Sequence, residues 1–358
     1  MTAIRPPAPV EAGGPATRGL CPVARKPHNR GRGADFRITQ LLHAKAVSVR
    51  DGLTPPSGRA VSVAVVVNSG SVGADAFRGL QALLSGTYPG AQVFETASVG
   101  EFRRFAAMAG TRGFRRVIVA GGDGTLQSAA HEFAGTPVEV GLLPMGTEND
   151  FARLMGIPTE LRAAATVAFG STVAAIDVGI IHCRDHGFRA VKFRFINIAE
   201  MGLAGGAARG SITAKGWIVR RLVHRAGRIM ARRSSGMPVM RLVVDGTDVG
   251  TLPTAQLIVG NGQFLGGGLR PLPHARINDG WFEVARIREA SASEVIELCA
   301  REGGLPREHP QIDHWRARRI EVTSDDPVAI EADGEPIGWL PASFEVEPGN
   351  LRLVVPAR

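Results

Sequence analysis

Short stretches of this 358-residue chain gather residue types that handle phosphate and protons. Gly121-Gly122-Asp123-Gly124-Thr125 follows the apolar run 116–120 and opens a helical pattern. Glycines there let the backbone take positive φ and approach an anion without a Cβ in the way. Exposed N–H groups and the helix dipole favour phosphate, and Thr125 suits a helix N-cap. A carboxylate beside phosphate, as Asp123 would be, makes chemical sense if Mg²⁺ bridges the two or if it orients a reacting group. The same residues also read as a glycine-rich turn closed by a capping threonine. Pro144-Met145-Gly146-Thr147-Glu148-Asn149-Asp150 holds the equivalent place one strand later. Thr147 can cap or donate to phosphate, and Asn149 and Asp150 offer oxygens to a metal; a plain capped helix start fits as well. Further on come Gly260-Asn261-Gly262, Gly266-Gly267-Gly268, Pro271 and Asp279-Gly280, where Asp279 reads as an Asx-turn residue. Asp333-Gly334-Glu335, between apolar runs, is a hairpin signal.

These loops need elements to hold them. Strands are expected at 61–67, 91–96, 116–120 and 138–144, with helices near 74–84, 99–112, 125–134 and 148–154. Strictly alternating strands and helices, with continuously apolar strands, predict a parallel sheet covered on both faces. Ligands of such sheets sit beyond the carboxyl ends of the strands, where all the glycine-rich loops fall. After about residue 171 short strands dominate, which predicts a mostly antiparallel β domain, with helices at 214–233 and 291–302. The expected layout is a basic Pro/Gly-rich disordered extension over 1–59, a nucleotide-binding α/β domain over 60–170, a β-rich substrate domain over 171–342, and a strand segment over 343–358 that packs back near the junction.

The formal charge is +9 and unevenly placed. Residues 1–60 carry ten Lys/Arg against three Asp/Glu, and 215–233 carry seven and no acid. A basic excess favours anionic partners without choosing among them. One Tyr and four Trp leave few stacking platforms, and no nucleic-acid motif is present, so a nucleic-acid partner is not expected. No apolar run is long enough to span a bilayer and no secretion signal opens the chain, which makes the cytoplasm the expected location. Cys21, Cys183 and Cys299 are isolated and read as reduced thiols. The apolar stripe and many arginines of 215–233 suit either a packed surface helix or peripheral contact with an anionic membrane.

Seven stretches together resemble the diacylglycerol kinase catalytic family, in its bacterial soluble branch, with sphingosine kinases as distant relatives: VVVNSGSVGADA (65–76), GGDGTLQSAA (121–130), GLLPMGTENDFAR (141–153), IDVG (176–179), FINIAEMGLAG (195–205), GNGQFLGGGLRPLPHARINDG (260–280) and EADGEPIG (331–338). They spread over about 61–355. The resemblance implies an α/β domain joined to a mostly antiparallel β-sandwich, and transfer of the γ-phosphoryl group of ATP to a lipid hydroxyl. It implies ATP contacts from Asn68, Ser69, Gly70, Ser71, Thr96, Gly121, Gly122, Gly124, Thr125, Gly146, Thr147 and Asn149. Asp123 and Asp150 would serve Mg²⁺ and the phosphates, and Glu335 would be the general base. Asp279, with the carbonyls of Arg276 and Trp281, resembles a second, structural Mg²⁺ site. Two departures stand out: Ser69 replaces the family's proline and Glu148 its glycine. An NAD kinase-like phosphotransferase and a non-catalytic nucleotide- or lipid-binding homologue are the alternatives, and a homodimer stays open.

Overall fold

The computed structural model describes residues 38–39, 62–70, 72, 74–185, 187, 189–202, 237–265 and 268–357. The expected basic helix 214–233, Ser71, Cys21 and the extension 1–59, save Ile38–Thr39, lie outside the described residues.

Ile38–Thr39 (β1) pairs antiparallel with Val93 and Phe94 at one sheet edge. The valine run Val63–Asn68 (β2) is buried along its middle, as suits β-branched residues in a strand covered on both faces. It is followed by Ala74–Thr87 (α1), Gln92–Thr96 (β3), Val99–Arg112 (α2), Arg116–Gly121 (β4), Asp123–Phe133 (α3), Glu139–Pro144 (β5), Asp150–Leu154 (α4) and Leu161–Ala168 (α5). Strands β3, β2, β4 and β5 pair in parallel in that spatial order. Ser98 caps α2 by accepting from the Glu101 N–H at 3.2 Å, and Gly113 ends it in a left-handed turn. Helix α5, which carries no strong sequence signal, buries Ala164, Ala165 and Ala168 in the core under β4 and β5.

The second half holds Val173–Arg184 (β6), Ala190–Phe195 (β7), Ile198–Gly202 (β8), Val239–Val244 (β9), Thr247–Pro253 (β10), Gln256–Gly260 (β11), Phe282–Ile287 (β12), Ala292–Cys299 (α6), Ile312–Ala317 (β13), Arg319–Thr323 (β14), Ala329–Ala332 (β15) and Glu335–Val354 (β16). Every strand pairing among these is antiparallel. The 20-residue β16 joins the halves: Arg352 and Leu353 pair parallel to β5, while upstream residues pair with β6, β14 and β15. An α/β layer with a parallel sheet and a β-rich layer is the fold that the sequence pattern predicts.

Several elements differ from the sequence reading. The apolar stretch 188–199 reads as one strand but breaks at Ile196-Asn197 into β7 and β8. The break is imposed from far along the chain, where the Asp333 carboxylate takes the N–H groups of Ile196, Asn197 and Ile198 at 2.8, 3.0 and 3.1 Å. Strand β13 was not legible, since IDHWRA alternates only weakly. Cys183 and Cys299 are free and buried, and burial pushes their thiols up to about 11 and about 12. Among the described residues no helix is long and apolar enough to cross a membrane.

Candidate active site

The two glycine-rich loops touch each other at their glycines. A Cβ on Gly146 would lie 2.4 Å from Gly122 Cα, and one on Gly122 would lie 3.1 Å from Gly146 Cα. A Cβ on Gly121 would meet Thr125 Oγ1 at 2.3 Å. These glycines therefore serve close approach. None of Gly121, Gly122 and Gly124 has a left-handed backbone, so the expectation of positive φ is corrected. Gly124 faces open space and borders the main cavity.

The capping expectations are corrected as well. Helix α3 starts at Asp123 with Gly122 as its N-cap, and Thr125 sits buried in the first turn. Its Oγ1 accepts from Asn68 Nδ2 at 3.1 Å, tying the loop after β2 to the loop after β4. Helix α4 has Asn149 as its N-cap, in the left-handed region at φ 51°, and Thr147 is exposed. Asn149 closes its own loop: Oδ1 accepts from Gly146 N at 3.0 Å and Nδ2 donates to Gly146 O at 2.9 Å. The N–H donors at the start of α4 go to Asp123 instead, whose carboxylate accepts from Asp150 N at 3.1 Å and Phe151 N at 2.9 Å. Burial raises the Asp123 pKa against those two hydrogen bonds, and the neighbouring Asp150 and Glu148 charges add to the rise. Asp150, 2% exposed, accepts from Arg153 at 2.7 Å and from Gly268 N at 3.2 Å.

These loops line a cavity of about 350 Å³. Of the residues expected at the site, it gathers Gly122, Asp123, Gly124, Thr147 and Asp150. Asn68, Ser69, Gly70, Thr96, Gly121, Thr125, Gly146 and Asn149 are not among its lining residues. Thr96 is buried, and its carbonyl accepts from Ser69 N at 3.0 Å. Six carboxylates border the cavity: Asp123, Glu148, Asp150, Glu200, Glu331 and Asp333; no Lys or Arg is among the described lining residues. Glu200 and Glu331 are direct cross-strand partners, a like-charge pairing that disfavours folding unless something neutralises it. Gln256 donates to Glu200 at 2.6 Å.

Asp333 was legible only as a hairpin residue. It and Gly334 do form the two-residue turn between β15 and β16, with φ 48° and 83°. Its side chain also organises the cavity wall through the three amides at 196–198. Burial outweighs those hydrogen bonds and lifts its pKa to about 6, and the nearby Asp123 charge contributes. Asn197, pinned this way, accepts through Oδ1 from Phe264 N at 3.1 Å. Asn261 donates to the carbonyls of Asp177 and Ile196 at 3.0 and 2.9 Å. Gly262 leaves room for Asn197, because a Cβ there would lie 2.2 Å from Asn197 Oδ1. Asp177 accepts from Gly280 N at 2.7 Å and Gly349 N at 2.8 Å. The IDVG, GNG and late DG motifs are thus one scaffold of backbone clamps behind the cavity. A signal for the missed Glu331 and Asp333 was present: they alternate with Glu335.

Glu335 does not line the main cavity. It borders a neighbouring one of about 220 Å³, and Gln127 lines both. No hydrogen-bond or ion-pair partner meets the Glu335 carboxylate among the described residues, and partial burial raises its pKa. Asp279 and Arg276 border a third cavity, which shares no lining residue with the other two. Asp279 Oδ1 accepts from Trp281 N at 3.1 Å, and Oδ2 is paired with the Arg316 guanidinium at 2.7 Å. That carboxylate already has its counter-ion, so the arrangement does not fit the second Mg²⁺ site that the resemblance implied. Among the described residues no three His, Cys, Asp or Glu side chains converge to hold a metal by themselves.

Comparison with known proteins places this geometry. Residues 62–181 match the diacylglycerol kinase catalytic domain, and 206–355 match the YegS C-terminal NAD kinase beta sandwich-like domain. A Pseudomonas aeruginosa protein named "Probable lipid kinase YegS-like" is 30% identical, over 72% of this chain and 82% of its own length. The chain belongs to the diacylglycerol kinase family. A Mycobacterium tuberculosis diacylglycerol kinase is 29% identical over 71% of this chain and 81% of its own length. A Bacillus anthracis diacylglycerol kinase structure shares the fold, with a TM-score of 0.63 at 18% identity, covering 83% of this chain and 97% of that one. Membership in this kinase family implies ATP as the phosphoryl donor.

Proposed function

We propose that this member of the diacylglycerol kinase family transfers the γ-phosphoryl group of ATP to the hydroxyl of a lipid alcohol, with Glu335 as the general base. In this reading residues 60–170 hold the nucleotide, 171–342 the acceptor, and 343–358 the junction. The observation that carries it is the division of labour across the β15–β16 turn. Asp333 spends its carboxylate on three backbone amides, whereas no partner among the described residues meets the carboxylate of Glu335, two residues on, whose pKa is raised. A carboxylate whose pKa is moved toward neutrality is better matched to accepting an alcohol proton.

The phosphates would lie along Gly122, Gly124 and Thr147, over the start of α3. Asn68 and Ser69 support them from the loop behind, and Asp123 fixes the two phosphate loops to each other. The acid-lined main cavity suits a divalent cation whose remaining ligands come from the nucleotide, since Mg²⁺ is commonly held by one or two carboxylates plus substrate phosphates. Asp123 and Asp150 would hold it, and when bound it would neutralise charge on the transferring group. Glu335 takes the hydroxyl proton as the acceptor oxygen attacks, and closure around the cleft excludes water. The experiment is to incubate the purified chain with γ-labelled ATP and a total lipid extract. A labelled lipid is the expected product, whereas label appearing only in NADP after NAD is added would overturn the reading.

A further inference from the structure

The third cavity is bordered by two carboxylates, Asp279 and Glu283, and by three arginines, Arg276, Arg307 and Arg316. Arg316 is held there from several sides. The register of β12 against β13 sets it directly opposite Glu283, whose side chain is buried, and its Nε lies 3.4 Å from Glu283 Oε1. Its Nη2 donates to Asp279 Oδ2 at 2.7 Å. Its guanidinium also lies over the Trp281 ring, 5.3 Å from the centroid, with Arg318 over the same ring at 4.5 Å. Arg307 approaches the other Glu283 oxygen at 3.5 Å. A guanidinium keeps its charge throughout the working pH range, and a positive charge this close to Asp279 repels a second cation from the same oxygen.

What that charge secures is the turn 279–281. Asp279 Oδ1 accepts from Trp281 N at 3.1 Å, and Gly280 N donates to Asp177 at 2.7 Å. Asp177 N in turn donates to the Ile277 carbonyl at 2.6 Å, and Asn261 joins the Asp177 carbonyl to that of Ile196, which lines the main cavity. We propose that Arg316 is the built-in counter-ion of this turn, doing permanently what a structural divalent cation would do, so that the folded chain holds no Mg²⁺ at Asp279 and does not depend on one there. The inference goes beyond the phosphoryl-transfer reading. It leaves the cation proposed at Asp123 and Asp150 in place and concerns only the β12–β13 side.

The test is thermal melting of the full chain in EDTA and in excess Mg²⁺, for wild type, Asp279→Asn, Arg316→Gln, Arg316→Lys and the double variant Arg316→Gln/Asp279→Asn. All of these keep the acids of the main cavity, so a Mg²⁺ response common to all of them comes from there. Wild type and Asp279→Asn should respond to Mg²⁺ equally. Arg316→Gln should melt about 2–4 °C lower than wild type in EDTA. It should regain most of that loss in Mg²⁺, because Asp279 and Glu283 are then short of positive charge, and the double variant should regain none. Arg316→Lys keeps the charge and should show no extra Mg²⁺ response. A lower melting temperature in Arg316→Gln without Mg²⁺ rescue would make Arg316 a packing residue and overturn its role as counter-ion. A wild-type response to Mg²⁺ that Asp279→Asn removes would also overturn the inference, and that comparison stands even if Arg316→Gln fails to fold. Neither result bears on lipid phosphorylation, which the labelled-ATP assay decides separately.

Discussion

The two cavities that meet at Gln127 treat their carboxylates in opposite ways. Around the larger one four of the six acids have named partners: Asp123 caps α4, Asp150 binds Arg153 and Gly268, Asp333 clamps 196–198, and Glu200 accepts from Gln256. Beside the smaller one, no hydrogen-bond or ion-pair partner meets the Glu335 carboxylate among the described residues. Tied carboxylates hold a fixed geometry, and burial raises the pKa of Asp123 and Asp333 as it does that of Glu335. What sets Glu335 apart is the absence of such a partner among the described residues. The difference separates architecture from chemistry although Asp333 and Glu335 are two residues apart.

The sharpest way to break this comparison is to exchange the fates of those two residues. Glu335→Gln should lower the rate of lipid phosphorylation by about 10²–10⁴-fold, the usual worth of a general base, with melting temperature and ADP affinity unchanged. Initial rates with labelled ATP, calorimetric ADP titration and thermal melting check it; near wild-type turnover sinks the role. Asp333→Ala should act on stability first. It strands three backbone amides, and leaving a buried polar group unpaired costs about 1–3 kcal/mol. Denaturant unfolding should show a loss of that order together with lost activity. An inactive but fully stable Asp333→Ala would move Asp333 from scaffold to chemistry.

A smaller effect should come from His131, which borders the Glu335 cavity and packs on Phe193 with ring centroids 5.5 Å apart. Burial lowers its pKa below the usual histidine value. The unfolded chain therefore binds a proton that the folded chain refuses between the depressed pKa and about 6.5, so stability falls as pH drops through that window and is steady above it. His131→Phe should flatten this part of the stability–pH curve without shifting the pH dependence attached to Glu335. Melting temperatures from pH 5 to 8 decide it, and an unchanged slope would show that the imidazole is not the titrating group.

Much of the layout was legible because it rests on local periodicity. The valine run at 63–68, the alternation of strands and helices to residue 154, and the change to short strands after 171 all follow from side-chain pattern. So do the facts that GGDGT and PMGTEND occupy neighbouring strand ends and that Asp333-Gly334 makes a tight hairpin. What failed was the division of roles among polar residues. Thr125 and Thr147 suit N-caps by composition, but the donors at the start of α4 are met by Asp123, 27 residues away from Asp150. Gly146 looks like a phosphate glycine, yet what requires it is the backbone of Gly122.

The sequence by itself determined the fold class, the family and the stretch of chain that carries each loop, because burial pattern and turn chemistry are properties of neighbours in the chain. Only the tertiary structure decided which carboxylates are tied to distant backbone and side-chain donors. For Asp123 and Asp333 those outcomes depend on donors 27 to 137 residues away and on how far each oxygen is removed from water. Asp279 shows the same rule. Its motif resembles a metal ligand, and it is Arg316, brought alongside by the pairing of β12 with β13, that supplies the positive charge.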